Sequence, residues 1–278
     1  MPSIAEKRAT YRRMHDSGCF IIPNPWDIGT ARYLQGLGFK ALASTSAGYA
    51  FALGLPDGAV SREVMLAHFR ELVAVTDVPI NADFEGGYAD PPEGVAESVR
   101  LCIETGVAGL SIEDSTMDPA IPLYDFDLAL ARVRAARAMV DKAGGDVVFT
   151  ARSEGFIRGR PDLDETIRRL KAFADAGADC LYAPGIKTPE QIAAVVKAVA
   201  PKPVNFLMAA TTTDLTLDGL AKLGVRRISL GGTLARAAWT AFARSAREMI
   251  NEGKFTSLAS GLTNPELNAF FREDMKKR

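Results

Sequence analysis

Four times along the chain a stretch of helical periodicity ends in a glycine and runs straight into a short apolar segment that closes on small or polar residues. These joints stand at 37–44, 105–113, 176–183 and 223–230. Glycine just past a helix supplies the left-handed cap, and a short unbroken apolar run is the pattern of a strand buried on both faces. Four more apolar segments, 19–23, 78–83, 147–152 and 203–207, bring the predicted strands to eight, each followed by helical spacing. Helix starts are marked too: Ser61 precedes 62–73, Asp162 precedes Leu163, and Thr188 is followed by Pro189 at the first helical position. Eight βα units predict an α/β protein built as a (β/α)8 TIM barrel, a fold that typically takes about 250 residues, with 1–278 as a single domain. A doubly wound open sheet would want a glycine-rich phosphate turn after an early strand, and Pro23–Asn24–Pro25–Trp26 supplies none. Beyond the last strand two extra C-terminal helices are predicted, split by Gly253 and a Gly/Ser/Thr stretch. The second shows an apolar face, Leu267, Phe270 and Phe271, that wants a partner.

Composition narrows the classes. A chain of 278 residues that is 47% hydrophobic and 24% charged can bury a full-sized core. Net charge is −1 with both signs mixed along the length, so there is no basic stripe to collect nucleic acid or an anionic membrane surface. Residues 1–13 are polar and charged, and no run approaches the roughly 18 apolar residues of a spanning helix, which predicts a soluble, cytoplasmic protein. Cys19, Cys102 and Cys180 are odd in number, far apart and in apolar contexts, so they read as core thiols. His15 and His68 fall outside the predicted strand ends and receive no catalytic role.

In a barrel the chemistry sits where strands end and βα loops begin. Asp83 and Glu85 stand two apart at the end of the third strand, and on extended backbone that spacing sends both carboxylates to one side, with Gly86 and Gly87 opening space next to them. Glu113 and Asp114 end the fourth strand. With no His or Cys beside them, these carboxylates form an all-oxygen set suited to Mg2+ or Mn2+. Arg152, from the fifth strand, is placed to grip a carboxylate or phosphonate with two prongs, although pairing with Glu154 or Glu113 is the structural alternative. Trp26, the run Ser44–Thr45–Ser46, Pro184 and Asn205 complete the strand ends. Asn205 stays open between meeting substrate and satisfying barrel backbone, Asp114 between a metal-bound water and a turn cap, and Tyr88 and Tyr124 between closing over substrate and packing.

These residues resemble the isocitrate lyase/phosphoenolpyruvate mutase superfamily. The likeness is carried by Ser44–Thr45–Ser46–Ala47–Gly48, Asp83–Phe84–Glu85–Gly86–Gly87–Tyr88, Ile112–Glu113–Asp114 and Thr150–Ala151–Arg152 in that order, and spans about Trp26 to Trp239. The resemblance implies Mg2+ held by Asp83, Glu85 and Glu113, with Asp57 close to it. It implies an α-oxo acid bound by Trp26, Ser44, Ser46, Ala47, Asn205 and Arg152, and chemistry through a metal-stabilised pyruvate enolate. It also implies a homodimer or homotetramer in which the last helix is exchanged, so that 258–278 packs on a neighbouring subunit. The chain departs from the pattern in two places. The lyase members' Lys-Lys-Cys-Gly-His loop is replaced by 115–124, whose proton carriers are Ser115, Thr116, Asp118 and Tyr124, and Pro184 stands where other members place Glu or His. This matches a phosphonomutase-like branch without the lyase cysteine. The expected activity is a Mg2+-dependent lyase or decarboxylase of an oxaloacetate- or substituted-malate-like diacid, with Arg152, Asp57 and Tyr124 as catalytic candidates. The alternatives are P–C bond chemistry of the mutase or phosphonopyruvate hydrolase type, and a non-catalytic oxo-acid binding protein.

Overall fold

The computed structural model describes every residue except Met117, Ala210, Thr213 and Arg278. Eight parallel strands form one sheet: β1 Phe20–Ile22, β2 Leu42–Ala43, β3 Ile80–Asp83, β4 Gly109–Glu113, β5 Val148–Arg152, β6 Cys180–Tyr182, β7 Val204–Leu207 and β8 Arg227–Ser229. Their order is β1-β8-β7-β6-β5-β4-β3-β2, so β1 and β2 are its edges. The Ala43 amide donates to the Pro23 carbonyl at 3.0 Å, which draws those edges together into a barrel. Helices α2 Ile28–Gly36, α3 Ser46–Ala52, α4 Arg62–Val75, α5 Pro92–Glu104, α6 Phe126–Lys142, α7 Leu163–Asp175, α8 Pro189–Val199 and α9 Leu217–Lys222 are interleaved with the strands. The predicted (β/α)8 barrel is the observed fold.

Local chemistry explains the joints. Gly38, Gly106, Gly177 and Gly224 all hold φ between 88° and 101°, the left-handed region a Cβ disfavours. Ser61, Asp162 and Thr188 accept from the amides of Val64, Glu165 and Gln191 and cap their helices as expected. Phe69, Phe149, Phe173 and Phe206 fill the layer between strands and helices. Burying each aromatic ring contributes roughly 2–3 kcal/mol relative to exposure. An N-terminal helix, α1 Ile4–Met14, lies across the lower end of the barrel. Its fully buried Tyr11 packs with Ile22, Ala43 and Val148 and donates to Asn81 Oδ1 at 3.2 Å. Cys102 and Cys180 are buried free thiols, as predicted, while Cys19 is only half-buried. No helix among the described residues is long and apolar enough to cross a membrane.

Past β8 come α10 Thr233–Glu252, a 3-10 turn Thr256–Ser260 and α11 Asn264–Lys276. The Phe270/Phe271 face of α11 packs on α2 of its own chain, with the Phe270 ring centred 4.3 Å from that of Tyr33 and tilted 35° to it, and lying over Gly36, where a Cβ would collide. Asp274 accepts both prongs of Arg32 in a buried ion pair. On α10, Trp239, Phe242 and Ile250 are 44%, 63% and 82% exposed.

Candidate active site

The C-terminal strand ends enclose a cavity of about 200 Å³. A groove of about 1270 Å³ along α10 is far larger, but none of the strand-end carboxylates lines it, so the chemistry belongs to the smaller space. Ser44, Ser46, Ala47, Asp57, Asp83, Glu113, Arg152 and Asn205, all singled out from sequence, are brought together in the cavity wall.

Arg152 organises this wall. The ladder sets Glu113 of β4 opposite Arg152 of β5, and Arg152 opposite Tyr182 of β6, so their side chains share the inner face. One guanidinium nitrogen lies 2.7 Å from Asp83 Oδ1 and 2.8 Å from Glu113 Oε1, and the other reaches Glu154 Oε1 at 3.0 Å. Arg158, four residues after Glu154, approaches Glu113 and Glu154 more loosely, at 3.6 and 3.8 Å. The side chain of Asp83 is held from the opposite direction. The Ser46 amide and hydroxyl both donate to its Oδ2, at 3.0 and 3.1 Å, while its own amide donates to Ser44 Oγ at 2.8 Å. Thr45 caps α3, so the run that follows β2 becomes a helix start aimed at the carboxylate.

Asp83 and Glu85 do not project together as their spacing suggested. β3 ends at Asp83, and Glu85 takes φ +48°, a left-handed turn that breaks the two-residue alternation. Glu85 is therefore absent from the cavity wall, yet it remains in the field of the site. Burial, then Asp83, Glu113 and Asp57, push its carboxyl up to about 8. Glu113 is raised as well, chiefly by burial, with Arg152 opposing. Among the described residues no three of His, Cys, Asp or Glu stand close enough to grip a metal, because Asp83 and Glu113 are both drawn onto Arg152. The donor chemistry nevertheless fits a hard divalent cation. Buried carboxylate oxygens Glu85 Oε1 and Glu113 Oε2 have no hydrogen-bond donor, and an oxygen-only set matches Mg2+ or Mn2+.

Three other candidates stand outside the cavity wall. Tyr124 is not in the cavity: its hydroxyl donates to Asp90, its ring lies 4.0 Å from the Arg132 guanidinium, and its amide donates to the Asp114 carbonyl. Loop 115–124 closes on itself through a Ser115–Leu123 bridge, and none of its described residues lines the cavity; Met117 is outside the described residues. Trp26 also stays out of the wall, its amide donating to Thr30 Oγ1 in the turn that starts α2. Asp114 is structural, accepting from the Glu154 amide at 2.7 Å and pairing with Arg169 at 3.2 Å. Sequence reasoning missed Tyr182, Ser229, Arg158 and Arg227, which do line the cavity. Tyr182 and Ser229 were findable as the last residues of their strands, and Arg158 by its four-residue spacing from Glu154.

The fold is a (β/α)8 barrel whose strand ends carry a carboxylate–arginine wall, and the comparisons give its family. The family model described as phosphoenolpyruvate phosphomutase matches residues 11–250, and the chain belongs to that family, within the isocitrate lyase/PEP mutase superfamily. A crystal structure of a Burkholderia cenocepacia J2315 protein superposes with TM-score 0.92 at 48% identity, covering 96% of each chain. Oxaloacetate decarboxylase of Paraburkholderia xenovorans is 31% identical over 80% of this chain and 74% of its own. A structure of oxaloacetate acetylhydrolase with its product oxalate gives TM-score 0.84 at 26% identity, covering 97% and 95%.

Proposed function

We propose that the protein is a Mg2+-dependent lyase or decarboxylase of a small α-oxo or 2-hydroxy dicarboxylic acid. The observation that carries this reading is Arg152, a guanidinium side chain only 11% exposed at the centre of a carboxylate wall in a cavity of about 200 Å³. That space is below the range of roughly 300–1,000 Å³ that takes drug-sized ligands, and it suits an acid of four or five carbons. Relatives that act on oxaloacetate favour the same class.

Asp83, Glu85 and Glu113 would hold Mg2+, with Mn2+ an acceptable substitute. Bound there, the cation supplies Lewis acidity that draws off charge as a C–C bond breaks. Arg152 grips the oxo-acid carboxylate with two charge-assisted bonds, and Ala47 and Asn205 close the sides of the cavity. Asp57 stands at its exposed edge. A leaving carboxylate departs as CO2 without needing a proton, so cleavage asks little of the wall beyond positioning and charge. Purified protein with Mg2+ is expected to release pyruvate, or a substituted 2-oxo acid, from oxaloacetate or from one of a panel of substituted malates, and to stop in EDTA. No release from any of them, with turnover of phosphonopyruvate, would move the assignment to P–C bond chemistry.

A further inference from the structure

Loop 115–124 stays out of the cavity, and Glu113 and Glu154 are tied to arginines, yet an enolate left by C–C cleavage must collect a proton at carbon. Tyr182 is placed to give it. It ends β6, lies opposite Arg152 on β5 and Asn205 on β7, and stands 7% exposed in the cavity wall. The Arg152 guanidinium is 4.8 Å from the centre of its ring.

The hydrogen bonds behind Tyr182 have a fixed direction. Arg227 of β8 is buried on the barrel axis, where it donates to Tyr11 Oη, Thr150 Oγ1 and, through Nε at 2.8 Å, Asn205 Oδ1. A guanidinium only donates, so Asn205 Oδ1 is locked as acceptor and its Nδ2 must donate. It does so, to Ser229 Oγ at 2.9 Å. Having accepted from Asn205, the Ser229 hydroxyl keeps its own proton to give, and it lines the same cavity wall as the Tyr182 phenol, whose ionised form it favours. A phenol that takes this proton has its own left to give to the cavity.

We propose that Tyr182 is the proton donor to the enolate carbon, aimed by the chain Arg227–Asn205–Ser229. The assignment rests on the lyase reading above. In the step the phenolic O–H bond breaks, the proton forms a C–H bond with the electron pair of the enolate C=C, and the carbonyl C=O re-forms. Tyrosinate is left, stabilised by the Arg152 guanidinium over its ring and by the Ser229 hydroxyl until a solvent proton returns. Burial pushes the phenol up to about 12, while Arg152 and Ser229 pull against it, so the proton stays on the oxygen until a strongly basic carbon is formed.

Tyr182→Phe keeps the buried ring and removes the proton. With Mg2+ and pyruvate in D2O, wild type is expected to exchange methyl protons for deuterium, read by NMR. The variant should lose that exchange by about 100-fold or more, the low end of general acid–base contributions. Its affinity for oxalate with Mg2+, measured by calorimetry, should stay within about 3-fold, since the phenol does not hold the carboxylate. Exchange kept within about 3-fold in the variant, or absent from a wild type that binds oxalate, overturns the assignment. A wild type that binds no oxalate with Mg2+ overturns the lyase reading itself, and this assignment with it.

Discussion

Replacing Arg152 by Met tests whether one guanidinium holds the site together. Met fills much of the same length without charge, so the loss is electrostatic. Of the three carboxylates that would be stranded, Asp83 keeps both donors from Ser46, and Glu113 and Glu154 keep only the looser approach of Arg158. Glu154 is fully buried, and removing one partner of a buried ion pair costs about 3–5 kcal/mol because a charge is left uncompensated. At roughly 2–4 °C per kcal/mol for a domain of this size, the melting temperature in EDTA should fall by about 6–20 °C. Oxalate affinity should fall independently: losing two charge-assisted bonds of about 1.5 kcal/mol or more each means a loss of at least about 100-fold. Thermal melts and calorimetric titration of oxalate with Mg2+ read the two effects. A variant that melts within about 2 °C of wild type and binds oxalate unchanged would refute the placement of Arg152 at the centre of the wall.

Tyr124→Phe should leave turnover within about twofold and cost about 1 kcal/mol of stability, since it removes only a bond to Asp90 outside the cavity; a large fall in kcat would return Tyr124 to the site. His68, 2% exposed and stacked 3.8 Å from Tyr49, has its pKa pushed down to about 4 by burial, with Asp27 opposing. An unfolded His takes its proton near pH 6.5, so the unfolded state binds more protons between about 6.5 and 4; the His68 contribution is complete above that window and is lost as pH falls through it, by up to about 3 kcal/mol. His68→Gln should flatten denaturation midpoints over that range, and an unchanged slope would sink the assignment. The exposed Trp239 and Phe242 on α10 predict self-association as a homodimer or homotetramer; a sedimentation experiment that gives only monomer at micromolar concentration would exclude it.

The barrel was legible because its signals are local and repeated. A glycine cap before an apolar run marks the same joint wherever it occurs, and even β2, only two residues long, was found through Gly38 and the segment after it. The place of the site followed from the fold alone, so Asp83, Glu113 and Arg152 could be gathered from three strands. Glu85 was misplaced for the complementary reason. The alternation rule holds only while the backbone is extended, and residue 85 has already turned left-handed. Loop 115–124 was unreadable because its course is set by local hydrogen bonds, such as the Ala120 amide to Asp118 Oδ1 at 2.8 Å, and not by periodicity. Tyr182 was passed over because a tyrosine within an apolar run reads as core until the ladder shows which face it takes.

The position of Arg152 further implies that ligand and cation cooperate. Asp83 and Glu113 have two competing claimants, the guanidinium they now pair with and the divalent ion their oxygens suit. Both claims cannot be met fully, because each carboxylate oxygen turned toward Arg152 is turned away from a shared metal. A substrate carboxylate that takes the two prongs of Arg152 releases those oxygens, and by linkage a bound metal must favour the substrate by the same factor. Oxalate should therefore tighten Mg2+ binding, and Mg2+ should tighten oxalate binding, by equal ratios in reciprocal titrations. In Arg152→Met the competition is gone, and the two affinities should become independent of that exchange even though both ligands still meet in one cavity. Coupling ratios near 1 in wild type, or full coupling retained in the variant, would mean that the carboxylates reach the metal without leaving the arginine.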